Sequence, residues 1–289
     1  MKKIAIIVDS STGLTKEKAQ KKGWYFLPLH LEIDNQLYDD GININSENIF
    51  DIFNKDSTQA KTSSTKLGEV ISLLDQIKDQ YDEIIIYPIS QYLSGQYQSL
   101  KLLENQYPNL HVIASKKIVQ LITIDLLEFE QNINQGMDIK EAIDIMENGV
   151  NYSVSLVPKY NDFLVKGGRL HPTAATIAKL LKIVPVIKFE NGELLKETKG
   201  RIFNKTFLNT IDSKKDLISQ NSNTILIPHS KNEDVKNYLE YIKNTYNKDA
   251  MDVLLPSVVS IHTGPEALAI IVFNKDYSKL INDNLYLFK

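Results

Sequence analysis

A few short stretches of this chain carry the side chains that can do chemistry: Asp9-Ser10-Ser11-Thr12-Gly13, Thr62-Ser63, Ser94-Gly95, Lys166-Gly167-Gly168-Arg169 and His262-Thr263-Gly264-Pro265. Hydroxyls and an imidazole donate hydrogen bonds, glycine lets backbone N–H groups approach closely, and arginine adds a charged fork of donors. Such a set suits a carboxylate or a phosphate, held by short charge-assisted hydrogen bonds. Taken singly, each residue has a plainer reading, because loop serines and threonines most often cap helices or satisfy nearby backbone groups. A second chemistry uses the same residues differently. Ser94 as nucleophile, His262 as base and Asp9 as orienter would make a serine hydrolase. The strand–turn–helix setting of Ser94 suits a nucleophile, but Tyr92-Leu93-Ser94-Gly95-Gln96 lacks the first glycine of G-x-S-x-G.

The elements that must position these residues are legible from periodicity. Ile4 to Val8 is an unbroken apolar run, as expected of a strand buried on both faces of a parallel sheet. Tyr25 to Ile33 and Ile84 to Ile89 read as further strands, Leu110 to Ala114 as another, with helical patterns at Lys16–Lys22, Leu67–Ile77, Gln96–Gln106, Ile118–Ile133 and Ile139–Asn148. Ser46 with Ile49, Phe50 and Phe53 suggests a capped helix, Lys61 to Thr65 a hydroxyl-rich loop, and Asp39-Asp40-Gly41 an ordinary turn. Strands alternating with helices predict an N-terminal α/β/α layered domain with a mainly parallel sheet, spanning residues 1–155. In such sheets ligands bind at the carboxyl ends of strands, where Asp9, Thr62-Ser63 and Ser94-Gly95 fall. The character changes afterwards. Lys166 to Arg169 reads as a turn before a helix through Ile177, Leu180 and Leu181, and Glu190-Asn191-Gly192-Glu193 as a hairpin turn. Strands at Thr224–Pro228 and Ala267–Phe273 flank a helix at Val235–Tyr246, and His262 to Pro265 reads as a turn. Residues 156–289 are therefore expected to form a second α/β domain with a mixed or antiparallel sheet.

Composition narrows the chemistry. The 289 residues are 43% hydrophobic and 24% charged, with a net charge of -3 and no aromatic-basic stripe, which gives no reason to expect nucleic acid. The absence of cysteine removes disulfides, thiolate metal sites and cysteine catalysis, and suits a reducing cytoplasm. His30, His111, His171 and His229 lack metal-ligand spacing, and neither a P-loop nor G-x-G-x-x-G is present. No apolar run approaches the roughly 20 residues that span a bilayer, so stable membrane insertion is not expected.

In order along the chain, six motifs resemble one family. Val8-Asp9-Ser10-Ser11-Thr12-Gly13-Leu14 is similar to D-S-[ST]-x-x-L, and Thr62-Ser63 to the start of T-S-x-P-S. Leu93 to Ser99 is similar to L-S-G-T-Y-Q-S, and Lys166 to Leu170 to K-G-G-R-I. Leu181 to Val186 with Gly192 resembles L-x-I-K-P-I followed by D-G, and His262 to Pro265 matches H-x-G-P. The chain thus resembles the DegV family of fatty-acid-binding proteins, the acyl-carrying subunit of bacterial fatty acid kinase. The resemblance implies a long-chain fatty acid as ligand, its tail in an apolar tunnel between and within the two domains, and no further cofactor. Carried over by position, it implies that Thr62, Ser94 and His262 bind the carboxylate, with Arg169, Ser63, Gly95 and Gly168 near the head group. Catalysis would belong to a separate ATP-dependent fatty acid kinase subunit, making this chain a cytoplasmic carrier and not an enzyme. The serine hydrolase acting on lipid or thioester substrates stands as the alternative. The chain departs from the family pattern at Thr65 and Lys66, at Gln96, at His171, at Ala114, and at Glu266, which takes the place of a glycine.

Overall fold

In the computed structural model, which describes residues 2–54, 57–167, 169, 183–221 and 223–289, the chain divides into two compact units. The first holds residues 1–149 with 256–258, and the second holds 150–255 with 259–289. Gly168, Leu170, His171 and the helix expected through Ile177, Leu180 and Leu181 lie outside the described residues.

The first unit is built on β1 (Ile4–Asp9), β2 (Tyr25–Leu27), β3 (His30–Ile33), β4 (Gln36–Asp39), β5 (Ala60–Ser63), β6 (Glu83–Tyr87) and β7 (Leu110–Val112). A parallel sheet runs in the order β2-β1-β6-β7, and an antiparallel one in the order β4-β3-β5. Alternation along the parallel strands sends side chains to opposite faces. Ala5, Ile7, Ile84 and Ile86 pack with Val70, Leu74, Leu100 and Leu103 on one face. Tyr87 points to the other, where its hydroxyl lies 2.8 Å from Asp125 Oδ2 in the helix Gln120–Asn134 and 3.2 Å from the Met146 carbonyl. The layered α/β/α arrangement follows from that division.

Several expected elements come out differently. Tyr25 to Ile33 is not one strand but two, in different sheets. Pro28 has no N–H to give a ladder, and the Leu29 N–H goes instead to Ser10 Oγ at 3.1 Å. β3 then turns back into β4 through Asp34 and Asn35, whose φ values of 48° and 67° suit a tight hairpin turn. Thr62 and Ser63 lie on β5, an edge strand, with Thr62 opposite Leu31 and Ser63 opposite His30. The helix near residue 50 is a single turn, Ile49–Ile52, preceded by Asn48 with no side-chain cap.

The second unit contains β8 (Tyr152–Val157), β9 (Val184–Glu190), β10 (Glu193–Gly200), β11 (Thr224–His229), β12 (Met251–Leu254) and β13 (Leu268–Phe273), in the order β10-β9-β8-β13-β11-β12. β11 and β12 pair in parallel and the other neighbours antiparallel, so the sheet is mixed. Asn191 and Gly192 make the β9–β10 turn at φ 51° and 87°. β8 lies centrally although two of its residues are serines. Each has a partner: Ser155 donates to Glu197 at 2.6 Å, and Ser153 accepts from Lys214 Nζ at 2.8 Å. Ile225, Ile227, Ile270 and Val272 meet Phe207, Ile211, Tyr238 and Ile242 on one face. Leu156, Ile187 and Ala269 meet Leu164 on the other.

Three buried carboxyls of the first unit give it a pH signature; burial raises Asp125 to about 6 despite its ion pair with Lys117. Burial pushes Asp9 up to about 6 and Asp40 up to about 7, against the hydrogen bonds they accept. Asp40, expected in an ordinary turn, is buried, and its Oδ2 accepts the Val258 N–H at 3.3 Å. Raised carboxyl values mean that the fold holds protons which the unfolded chain releases. Their stabilising contribution is complete below about pH 4 and fades as pH rises through 6 to 7. His262, held down to about 4, works in the opposite sense below its ordinary value. Asp40→Asn separates the two: relative to wild type, the variant should gain thermal stability between pH 5 and about 7 and level off above it. Parallel melting-point profiles for the two proteins across that range would contradict the assignment.

Glu266 lies in the left-handed region at φ 58°, held by its N–H on the Ser230 carbonyl (2.7 Å) and by Asn232 on its own carbonyl (2.8 Å). That conformation costs a non-glycine residue about 1–2 kcal/mol. The Glu266 carboxylate forms an ion pair with Lys159, an offset of about 0–1 kcal/mol for a pair about one-third exposed. Glu266→Gly alone should therefore change stability little. In a Lys159→Ala background it should stabilise by about 1 kcal/mol, measured by urea denaturation.

Candidate functional site

The carboxyl end of the parallel sheet is organised by Asp9. Its Oδ1 accepts from Ser11 N (3.0 Å) and Ser11 Oγ (2.5 Å), and its Oδ2 accepts from Ile89 N at 2.8 Å. One carboxylate thus ties the turn after β1 to the turn after β6. A third turn joins them: Ser90 N donates to the Lys117 carbonyl (2.9 Å), Gln91 N to the Ser115 carbonyl (3.0 Å), and Val119 N to the Ser11 carbonyl (3.0 Å). Val119 is held there at φ 52° and ψ -139°, a conformation that costs a β-branched residue about 1–3 kcal/mol. Lys117, buried, forms an ion pair with Asp125.

Ser94 and Gly95 follow on the β6 turn. Ser94 Oγ accepts the Gln96 N–H at 3.1 Å, a local bond at the start of the helix Gln96–Lys101, whose N-cap is Gly95. Gly95 is exposed, has φ -72°, and a Cβ added to it would meet no protein atom within 4 Å. Nothing in the protein's own backbone or packing requires glycine there. Gly264 is the opposite case: φ is 78°, and a Cβ would come within 2.6 Å of the Phe163 ring. Its glycine has a structural reason.

Thr62 is half-buried and Ser63 exposed at the end of β5. The next segment is pinned to the Ser94 turn by two residues for which the motif reading had no role. Thr65 N donates to Gln96 Oε1 at 3.0 Å, and Gln96 Nε2 donates to Thr65 Oγ1 at 2.9 Å. Thr65 Oγ1 in turn donates to the Pro28 carbonyl at 2.7 Å. The structure therefore brings the Thr62–Ser63 and Ser94–Gly95 segments together within the first unit. The only sequence signal was that both linking residues break the family motif.

In the second unit, His262 lies in the last turn of the helix Ser257–Thr263 and not in a turn, and Lys166 and Gly167 end the helix Asn161–Gly167. Burial first, and the positive charge of exposed Arg169 second, hold His262 down to about 4. At neutral pH it is a neutral imidazole. The neighbouring helix residues are fixed by hydroxyls: Ser230 Oγ lies 3.2 Å from Ser260 Oγ and 3.3 Å from Thr263 Oγ1. The other described histidines are occupied structurally. His30 pairs with Asp39 at 2.7 Å, His111 with Glu83 at 2.7 Å, and His229 Nδ1 accepts the Asn232 N–H at 3.0 Å. Among the described residues no group of three or more acidic or histidine side chains could hold a metal ion, and no helix is long and apolar enough to cross a membrane.

Comparison with known proteins agrees with this architecture. A family model described as "Uncharacterised protein, DegV family" matches residues 3–275. A DegV domain-containing protein of Mycoplasmopsis pulmonis is 46% identical over 277 residues, covering 95% of this chain and 96% of that one. Among solved structures, a fatty acid binding DegV family protein from Streptococcus agalactiae superposes with a TM-score of 0.84 at 25% identity, covering 96% of this chain and 100% of that one. A stearic acid-binding protein from Eubacterium ventriosum shares the fold, with a TM-score of 0.81 at 21% identity over 96% of this chain and 100% of that one. A match running almost end to end, in sequence and in fold, has one meaning: the chain belongs to the DegV family.

Proposed function

We propose that this protein binds a long-chain fatty acid and presents its carboxylate to a separate ATP-dependent kinase subunit, which phosphorylates it to an acyl phosphate. The observation that carries the reading is the likeness, at 25% identity and over 96% of this chain and all of that one, to a DegV protein that binds fatty acid. The site chemistry supports it. Burying an acyl chain gains roughly 0.8 kcal/mol per CH₂, but an unpaired carboxylate would cancel much of that gain. Donors at one end of the ligand meet that need without a metal or a covalent bond. Ser94, whose oxygen already accepts from Gln96, keeps its own proton to donate. Thr62 adds a second hydroxyl and His262 a neutral imidazole, while Ser63, Gly95, Gly168 and Arg169 would lie near the head group. The open space at Gly95 suits an approaching ligand. The protein would act in the cytoplasm, as a carrier whose chemistry is completed by its partner.

A serine hydrolase using Ser94, His262 and Asp9 is the competing reading, and the hydrogen bonds count against it. Asp9 commits both oxygens to Ser11 and Ile89, and the Ser94 oxygen accepts the Gln96 N–H. A fluorophosphonate probe that labels Ser94 would reverse that preference.

Ser94→Ala and Thr62→Val should each weaken palmitate binding by roughly 5- to 150-fold, the effect of one hydrogen bond to a buried charged group. Binding of hexadecanol, which has no carboxylate, should change far less in isothermal titration. Because His262 stays neutral well above its value of about 4, wild-type affinity for palmitate should be flat between pH 6 and 8. A rise in affinity toward pH 6 would show instead that a protonated imidazole binds the head group. Addition of a DegV-dependent kinase and ATP should convert the bound acid to a hydroxylamine-trappable acyl phosphate.

A further inference from the structure

We propose that Gln96 is a positioning residue which, through Thr65, sets the spacing between the Thr62–Ser63 strand and the Ser94–Gly95 turn. The proposal rests on the fatty-acid reading, since it concerns how that site keeps its shape. Gln96 is the first residue of its helix and is 1% exposed; Thr65 is 7% exposed. Every group in the link is used. The Gln96 N–H goes to Ser94 Oγ at 3.1 Å, which orients that oxygen. The Gln96 side-chain amide accepts from Thr65 N at 3.0 Å and donates to Thr65 Oγ1 at 2.9 Å. The same Oγ1 donates to the Pro28 carbonyl at 2.7 Å, which extends the link to the connection between β2 and β3.

Burial makes this chain of bonds a geometric constraint. Water does not reach these groups to replace a lost partner, and a buried donor or acceptor left alone costs its full desolvation. The Gln96 amide offers the acceptor for Thr65 N and the donor for Thr65 Oγ1 together. A strand end and a helix start that belong to different sheets are thereby held at one separation. Thr62, three residues before Thr65, and Ser94, two residues before Gln96, are the two hydroxyls whose spacing results. The link also accounts for Thr65 and Gln96 departing from the motif pattern jointly: a proline at 65 would have no N–H to give.

The test is Gln96→Met, which keeps the side-chain volume and removes both bonds, together with Thr65→Val and the double variant. In the ligand-free protein, amide hydrogen exchange in Thr62–Lys66 and in Ser94–Gln96 should quicken together in Gln96→Met, while the β3–β4 hairpin stays protected. Palmitate affinity should fall by roughly 5- to 20-fold, hexadecanol affinity should hold, and the double variant should lose no more than the worse single one. A purely structural role would weaken both ligands alike or neither. That outcome, or exchange that quickens in one segment only, overturns the proposal. If wild type binds neither ligand, the fatty-acid reading falls by itself. The exchange measurement then decides the positioning claim: coupled quickening supports it, and independent behaviour overturns it.

Discussion

The buried carboxylate of Asp9 is the interaction on which the rest of the site depends. Three short donors converge on it, two from Ser11 and one from Ile89. They fix the turn after β1 against the turn after β6 at the end of a parallel sheet. An acid taken out of water is costly to keep, and the raised value near 6 records that cost. What the cost secures is a rigid floor. Ser11 also accepts the Val119 N–H, which holds a β-branched residue in a strained conformation, and the Ser90 and Gln91 amides close the third loop onto the same platform. Ser94 and Gly95 extend from that platform.

Two departures from the family motifs show how a site tolerates change when its geometry must persist. Thr65 and Gln96 would each be poor choices alone, because each would bury an unpaired polar group; together they satisfy each other. Glu266 occupies a left-handed position that favours glycine, and its side chain forms an ion pair with Lys159. In both cases the unfavourable local choice is compensated by a partner remote in sequence. A motif comparison registers only the mismatch.

Within the first unit the hydrogen bonds leave Asp9 tied to Ser11 and Ile89, and Ser94 Oγ accepts the Gln96 N–H.

The sequence by itself determined the α/β class, the buried parallel strands and the strand-end turns at Asp9 and Ser94. Those features are local: a five-residue apolar run, a 3.6-residue period or an Asn-Gly turn announces itself without distant partners. It also carried the family resemblance, because the motifs recur in order. The tertiary structure decided the rest. It split Tyr25–Ile33 at Pro28 between two sheets, and it made β5 an edge strand out of an apparent loop. It gave β8 a central place because Glu197 and Lys214 satisfy its serines, grouped residues 256–258 with a unit whose other residues end at 149, and buried Asp40. Each of these depends on a hydrogen bond or a packing face contributed by residues far along the chain, and no local pattern in the sequence encodes a partner that only folding brings near.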